Sequence, residues 1–210
     1  MRHSIARIGA LTAAAALGAA ALVGAPAAQA AEGDTSLASV LKVGSAKFDK
    51  NHKDYDIVTK AAEAVLAAKP DSAVSVLADG SVALTAFIPN DRAFMNLASA
   101  LKGKKVSTEN GAFKTVASLG IDTVEQVLLY HVVPGSTIMS GDALKANGAK
   151  LKTAEGKTIS VRVTDAPAIV LGDKARKIKN PRVILSQVDI NDGNMQVAHG
   201  IDGVLLPFAP

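Results

Sequence analysis

Beyond its first thirty residues the sequence carries three histidines, His52, His131 and His199. No two of them stand at a spacing that places both on one metal ion, and H-E-x-x-H is absent. Cysteine is missing altogether, which excludes a disulfide scaffold, a thiolate zinc site, an iron–sulfur cluster and a cysteine nucleophile. Asp49, Asn51, Asp54 and Asp56 form an acidic run with some calcium character. An EF-hand loop needs Gly at its sixth position and Glu at its twelfth. Counted from Asp49 those positions hold Asp54 and Lys60, so the run reads as a solvated loop and no metal is expected. His199 and Asp202 with Ser186 or Ser136 make the kind of nucleophile triple that any chain of this length offers. With no phosphate loop, no G-x-G-x-x-G and no G-x-S-x-G, no catalytic residue is assigned and no cofactor or enzyme activity is expected.

Charge is the second candidate for chemistry. Lys174, Arg176, Lys177, Lys179 and Arg182 put five basic residues into nine positions, a patch that could attract an anionic polymer. Most runs of this kind are solvent-facing surface. Aromatics make up 3% of the chain, none is Trp and none interleaves with the run, so a nucleic-acid partner is not expected. An apolar or tetrapyrrole ligand is the alternative for a binding protein, because His131 or His199 lining a cavity could supply an imidazole donor.

The elements that must position these residues run from helices to strands. Thr35 or Ser36 can cap a first helix with Leu37, Val40 and Leu41 on one face. Ile57, Ala61, Ala64, Val65 and Ala68 give a second helix its apolar stripe, ended by Pro70. Residues 82–88 read as a strand entering Pro89, and Asn90 is placed to cap a helix through Phe94 and Leu97. Residues 103–111 read as a charged loop, and Asp122 with Glu125 as a capping box. Residues 150–153, 158–163, 168–171, 183–188 and 195–199 are short and β-branched or alternating, with Asp192-Gly193 as a hairpin signal. Helices first and strands later predict an α+β domain, and no linker or repeat divides it.

The N-terminus reads as an address. Arg2 and Arg7 precede an uncharged, Ala- and Leu-rich stretch, then Gly24, Pro26 and Ala28-Gln29-Ala30. That order predicts a secretory signal peptide over residues 1–30, cleaved after Ala30. The apolar stretch falls short of the roughly 20 residues of a membrane span. Without Arg2 and Arg7 the 23 basic residues become 21 against 19 acidic, so much of the pI near 9.3 belongs to the address. Residues 31–210 are expected to be one secreted, extracellular domain, monomeric and without a stable membrane anchor.

Three segments in order resemble the fasciclin-like (FAS1) family. The first is Thr85-Ala86-Phe87-Ile88-Pro89-Asn90-Asp91-Arg92-Ala93-Phe94, similar to the family's strand-Pro-cap-helix motif. The second is Leu128-Leu129-Tyr130-His131-Val132-Val133-Pro134-Gly135, followed by Ser140-Gly141-Asp142-Ala143-Leu144. The third joins Val188-Asp189-Ile190 to His199-Gly200-Ile201-Asp202-Gly203-Val204-Leu205-Leu206-Pro207, with Gly200 where a branched apolar residue is usual. The resemblance implies a β-sandwich or wedge of about seven strands with helices packed along one side. It also implies a secreted, non-catalytic protein like the single-domain exported bacterial members, working in cell adhesion or in contact with a cell-surface, matrix or extracellular protein partner. Tyr-His and Asp-Ile segments are linked to integrin recognition in animal members, and the matching residues are Tyr130, His131, Asp189 and Ile190. The residues themselves favour a core role for Tyr130 and His131, between a buried helix and Val132-Val133.

Overall fold

The computed structural model describes residues 33–175 and 178–209. The predicted signal peptide, Arg176 and Lys177 lie outside the described residues.

Ser36 starts α1 (Leu37–Val40) by accepting the Ser39 N–H on its hydroxyl. Helix α2 (Asp56–Ala68) buries Ile57, Ala61 and Val65 of the predicted stripe, leaves Ala64 half-buried and Ala68 exposed at its end, and is followed after Pro70 by a 3-10 turn (Ala73–Ala78). Strand β1 (Leu84–Pro89) is buried at all six positions, as befits a central strand. Pro89 cannot extend the ladder, and the Asn90 side chain accepts the Ala93 N–H at 3.0 Å to open α3 (Asp91–Lys102). Gly103, with φ 62°, closes that helix in the left-handed conformation.

The loop expected over 103–111 ends early. Thr108 accepts the Gly111 N–H at 3.1 Å and starts α4 (Glu109–Ala117), which buries Ala112 and Val116. The expected capping box is also absent. Helix α5 (Ile121–Tyr130) begins at Gly120, whose φ of 89° turns the chain in, so Asp122 already lies in the first turn. Asp122 and Glu125 instead pair with Lys69, and Glu125 also accepts the Ser72 hydroxyl.

Strand β2 (Val132–Pro134) follows α5 directly, and a single turn, α6 (Ser140–Ala143), precedes the second sheet. That sheet is an antiparallel meander of β3 (Lys150–Lys152), β4 (Thr158–Val163) and β5 (Ile169–Gly172). Strand β6 (Gln196–Ile201) returns to the first sheet beside β1. The first sheet therefore has the order β2-β1-β6, with β1 antiparallel to β2 and parallel to β6, and Phe87 in register with His199.

Six strands stand among the described residues, against the seven or so implied. The missing strand was expected over 183–188. There, single bridges pair Arg182 with Val170 and Val183 with Ile201, and the chain then turns. The Ile184 N–H donates to the Gly200 carbonyl, and the Gly200 N–H donates to the Gln187 carbonyl. Positive φ values at Asp189 (53°) and Asn191 (74°) bend the chain again before the Ile190–Ala198 bridge. The segment thus ties both sheets without continuing as a strand in either.

Helices α2 to α5 enclose one apolar core, and a second lies between the two sheets, around Phe87, Tyr130, Ile159, Leu171 and Ile201. Gln196 is fully buried and satisfied. Its carbonyl accepts the Leu37 N–H, and its amide donates to the Val76 and Asp79 carbonyls, clamping α1 and the 3-10 turn to β6.

Candidate functional site

Tyr130 ends α5 with no exposed surface, and its hydroxyl donates to the Thr158 carbonyl at 2.9 Å, joining the helix to β4. His131, also buried, uses both ring nitrogens. Nδ1 donates to the Val127 carbonyl at 2.7 Å, and Nε2 accepts the Leu205 N–H at 2.9 Å. An N–H that must be accepted fixes the neutral Nδ1–H tautomer. Burial pushes the imidazole down to about 4, only partly opposed by the bond to Val127.

His199 is built the other way round. Nε2 donates to the Ile138 carbonyl at 2.8 Å, while Nδ1 accepts the Asp189 N–H at 3.2 Å. Burial lowers this imidazole too. The two histidines flank Phe87, whose N–H donates to the His131 carbonyl and whose ring centroid lies 5.9 Å from that of His199. Asp189 accepts the Ser140 N–H at 2.8 Å and the Ser140 hydroxyl, so it braces α6. Ile190 packs, half-buried, against the core beside Ala198. All four residues matched to the recognition segments thus hold the framework together.

An imidazole with both nitrogens engaged has no lone pair to give a haem iron. The apolar cavity that touches His131, between Val58, Phe87 and Leu128, holds only ≈ 40 Å³. A tetrapyrrole does not fit there.

Structure joins the acidic run to residues far away in the chain. Oxygens of Asp54, Asp91 and Glu109 lie within 4.8 Å of one another. The Ile57 and Asp56 N–H groups donate to Asp91 at 2.8 and 3.2 Å, and the Asp49 N–H and His52 Nδ1 donate to Glu109 at 2.6 and 2.8 Å. Burial, then the hydrogen bond to the Asp54 carboxyl, push the Asp91 carboxyl well above the usual carboxylate range. Asp91, with both oxygens on backbone N–H groups of α2, and Glu109, held by the Asp49 N–H and His52, tie α3 and α4 to the acidic loop and the start of α2. Sequence reasoning found Asp54 but missed Asp91 and Glu109. Their one local signal is an acid in the first turn of a capped helix.

Of the basic run, Lys174, Lys179 and Arg182 are exposed. The segment is anchored at both ends. Asp173 accepts the Leu206 and Ala175 N–H groups at 2.9 Å each, and the Arg182 N–H donates to Asp202 at 2.6 Å.

Residues 58–207 match the Fasciclin domain family. The chain belongs to the fasciclin family. Its fold is similar to the structure of a FAS1 domain pair from the insect cell adhesion molecule Fasciclin I, with a TM-score of 0.50 and 18% identity. That alignment covers 75% of this chain and 48% of the other, so the chain spans about half the length of the structure it matches. No curated protein matches it. The strand-Pro-cap-helix segment of this fasciclin domain has the arrangement its residues predict, with Phe87 and Phe94 both buried around Asn90. No helix among the described residues is long and apolar enough to cross a membrane.

Proposed function

We propose that this chain is an exported, single-domain fasciclin protein of the bacterial type, cleaved after Ala30 and acting without catalysis through contact with a cell surface, a matrix or an extracellular protein. The observation that carries this reading is the fasciclin match over residues 58–207, beside which the polar residues of the recognition segments are bound to the chain's own backbone. Tyr130, His131, Asp189 and His199 are all engaged by the chain's own backbone. Contact is therefore made by the exterior, where Lys174, Lys179 and Arg182 offer positive charge to an anionic surface.

Saturable binding of the secreted protein to cells, wall polymers or matrix coats tests the reading. Binding that saturates and survives detergent supports it, and absence of saturable binding to every such surface overturns the adhesive role. N-terminal sequencing of the secreted form, beginning at Ala31, tests the export step.

A further inference from the structure

The strongest unassigned feature is a cleft of ≈ 340 Å³ with a polar rim, between α3 and the 178–180 segment, a size within the range of small-ligand sites. Its floor is apolar, made by Ala93 and Leu97 of α3 with Val204. Its rim is polar, with Arg92 and Asn96 on the helix side, and Lys179, Asn180 and Asp202 opposite. Arg92 and Lys179 enter no ion pair among the described residues, although 87 positions separate them in the chain. The walls are preformed. Asn90 caps α3, the Leu171 N–H donates to the Pro181 carbonyl at 2.9 Å, and Asp202 is held by the Arg182 N–H at 2.6 Å.

We propose that this cleft binds an acidic sugar, a pyranose ring bearing one carboxylate. Among the described residues, two cations and one carboxylate leave the rim a net charge of +1, which suits a monoanion. An Arg fork is matched to a carboxylate, and Lys179 adds a second positive charge opposite it. The Asn96 and Asn180 amides each both donate and accept, and Asp202 accepts, a pattern suited to ring hydroxyls. The apolar floor suits the C–H face of the ring. A bare inorganic anion would leave the amides and the floor unused, and a neutral sugar would leave both cations unpaired. No aromatic ring among the described residues lines the cleft, so binding is weak, in the millimolar range. This ligand class extends the extracellular-contact reading, and the two fail separately, because the cleft is tested with a soluble sugar and no surface.

Chemical-shift titration of the ¹⁵N-labelled secreted protein with sodium glucuronate, glucose and sodium acetate decides the matter. Saturating shifts are expected at the Ala93, Asn96 and Gly203 amides, with glucuronate binding roughly tenfold more tightly than glucose or acetate. Arg92→Gln and Lys179→Gln are each expected to weaken glucuronate about fivefold, with the fold unchanged by circular dichroism because both side chains are exposed. A soluble polyuronate that shifts the same amides more tightly identifies a polysaccharide as the source, whereas equal affinity identifies the free sugar acid. Glucuronate binding no better than glucose or acetate, shifts confined to other parts of the surface, or full affinity in both variants would overturn the proposal.

Discussion

Asp91, the first residue of α3, caps a different helix: its carboxyl accepts the Ile57 N–H of α2 at 2.8 Å. The residue before α2, Tyr55, makes no side-chain cap of its own. One buried acid therefore satisfies a helix end that its own sequence leaves bare, and fixes the angle at which two helices leave the acidic loop.

Removing this cap has an expected size. Asp91→Ala leaves the Ile57 and Asp56 N–H groups without their acceptor and is expected to destabilise the domain by about 1–3 kcal/mol in urea denaturation. Asp91→Asn keeps one acceptor oxygen and a donor for Asp54, so its loss should be the smaller. Equal losses for both variants would show that packing, not capping, is what Asp91 supplies.

Stability should peak near neutral pH, with two arms of different origin. His131 and His199 are neutral when folded, because burial lowers both, whereas an unfolded histidine takes up a proton near pH 6.5. Below that value the unfolded state binds more protons, so stability falls as pH drops from about 6.5 toward 4, with His131 alone accounting for about 3 kcal/mol. Asp91 works the other way. Its raised carboxyl is protonated when folded, so its contribution is full below about pH 4 and is lost as pH rises through the folded value. Asp56 and Asp173, raised by burial as well, act in the same direction. Urea midpoints across pH 4–9 for the wild type and Asp91→Asn separate the arms. The variant should keep the acid arm and lose most of the alkaline one; an unchanged alkaline arm would remove Asp91 from the account.

Gly200 is a steric requirement. A Cβ there would overlap the Tyr55 hydroxyl and lie 2.8 Å from the Gln187 Cβ. Gly200→Ala is therefore expected to cost about 1–3 kcal/mol. Tyr55→Phe alone should change stability by less than about 0.5 kcal/mol, since its hydroxyl has no partner among the described residues. In the double variant the added methyl gains room, and a double-mutant cycle should return a coupling of about 1 kcal/mol. Strict additivity would mean that the crowding falls on Gln187 alone.

Tyr130→Phe separates bracing from recognition. Loss of the hydroxyl bond to Thr158 should cost about 1 kcal/mol of stability. Surface binding by the folded variant should match the wild type. A variant that stays folded but loses binding would make Tyr130 a contact residue after all.

Local signals were readable wherever a few neighbouring residues decide the outcome. The Pro89-Asn90 junction and the β4 alternation over 158–163 appear as their residues predict, as does the α2 stripe through Ile57, Ala61 and Val65. Helix α4 was hidden because Asn110 and Gly111 open it and only Ala112 and Val116 are buried apolar residues within it. The 183–188 segment has the β-branched look of a strand, but its hydrogen-bonding groups are claimed by Gly200, which no local pattern reveals. Among the candidate site residues, the basic side chains were visible as a run. Arg92 and Asn96, which face Lys179 across the cleft, belong to a helix read only for its core face.

By itself the sequence determined the α+β class, the family through three ordered motifs, and the absence of thiol chemistry. Those properties follow from residue type and short-range spacing. Tertiary structure decided that Tyr130, His131, Asp189 and His199 serve as braces, that Asp54, Asp91 and Glu109 converge, and that Arg92 meets Lys179 across a cleft. Each of these depends on which distant backbone group or side chain occupies the neighbouring space, and only the assembled sheets and helices bring those partners within hydrogen-bonding reach.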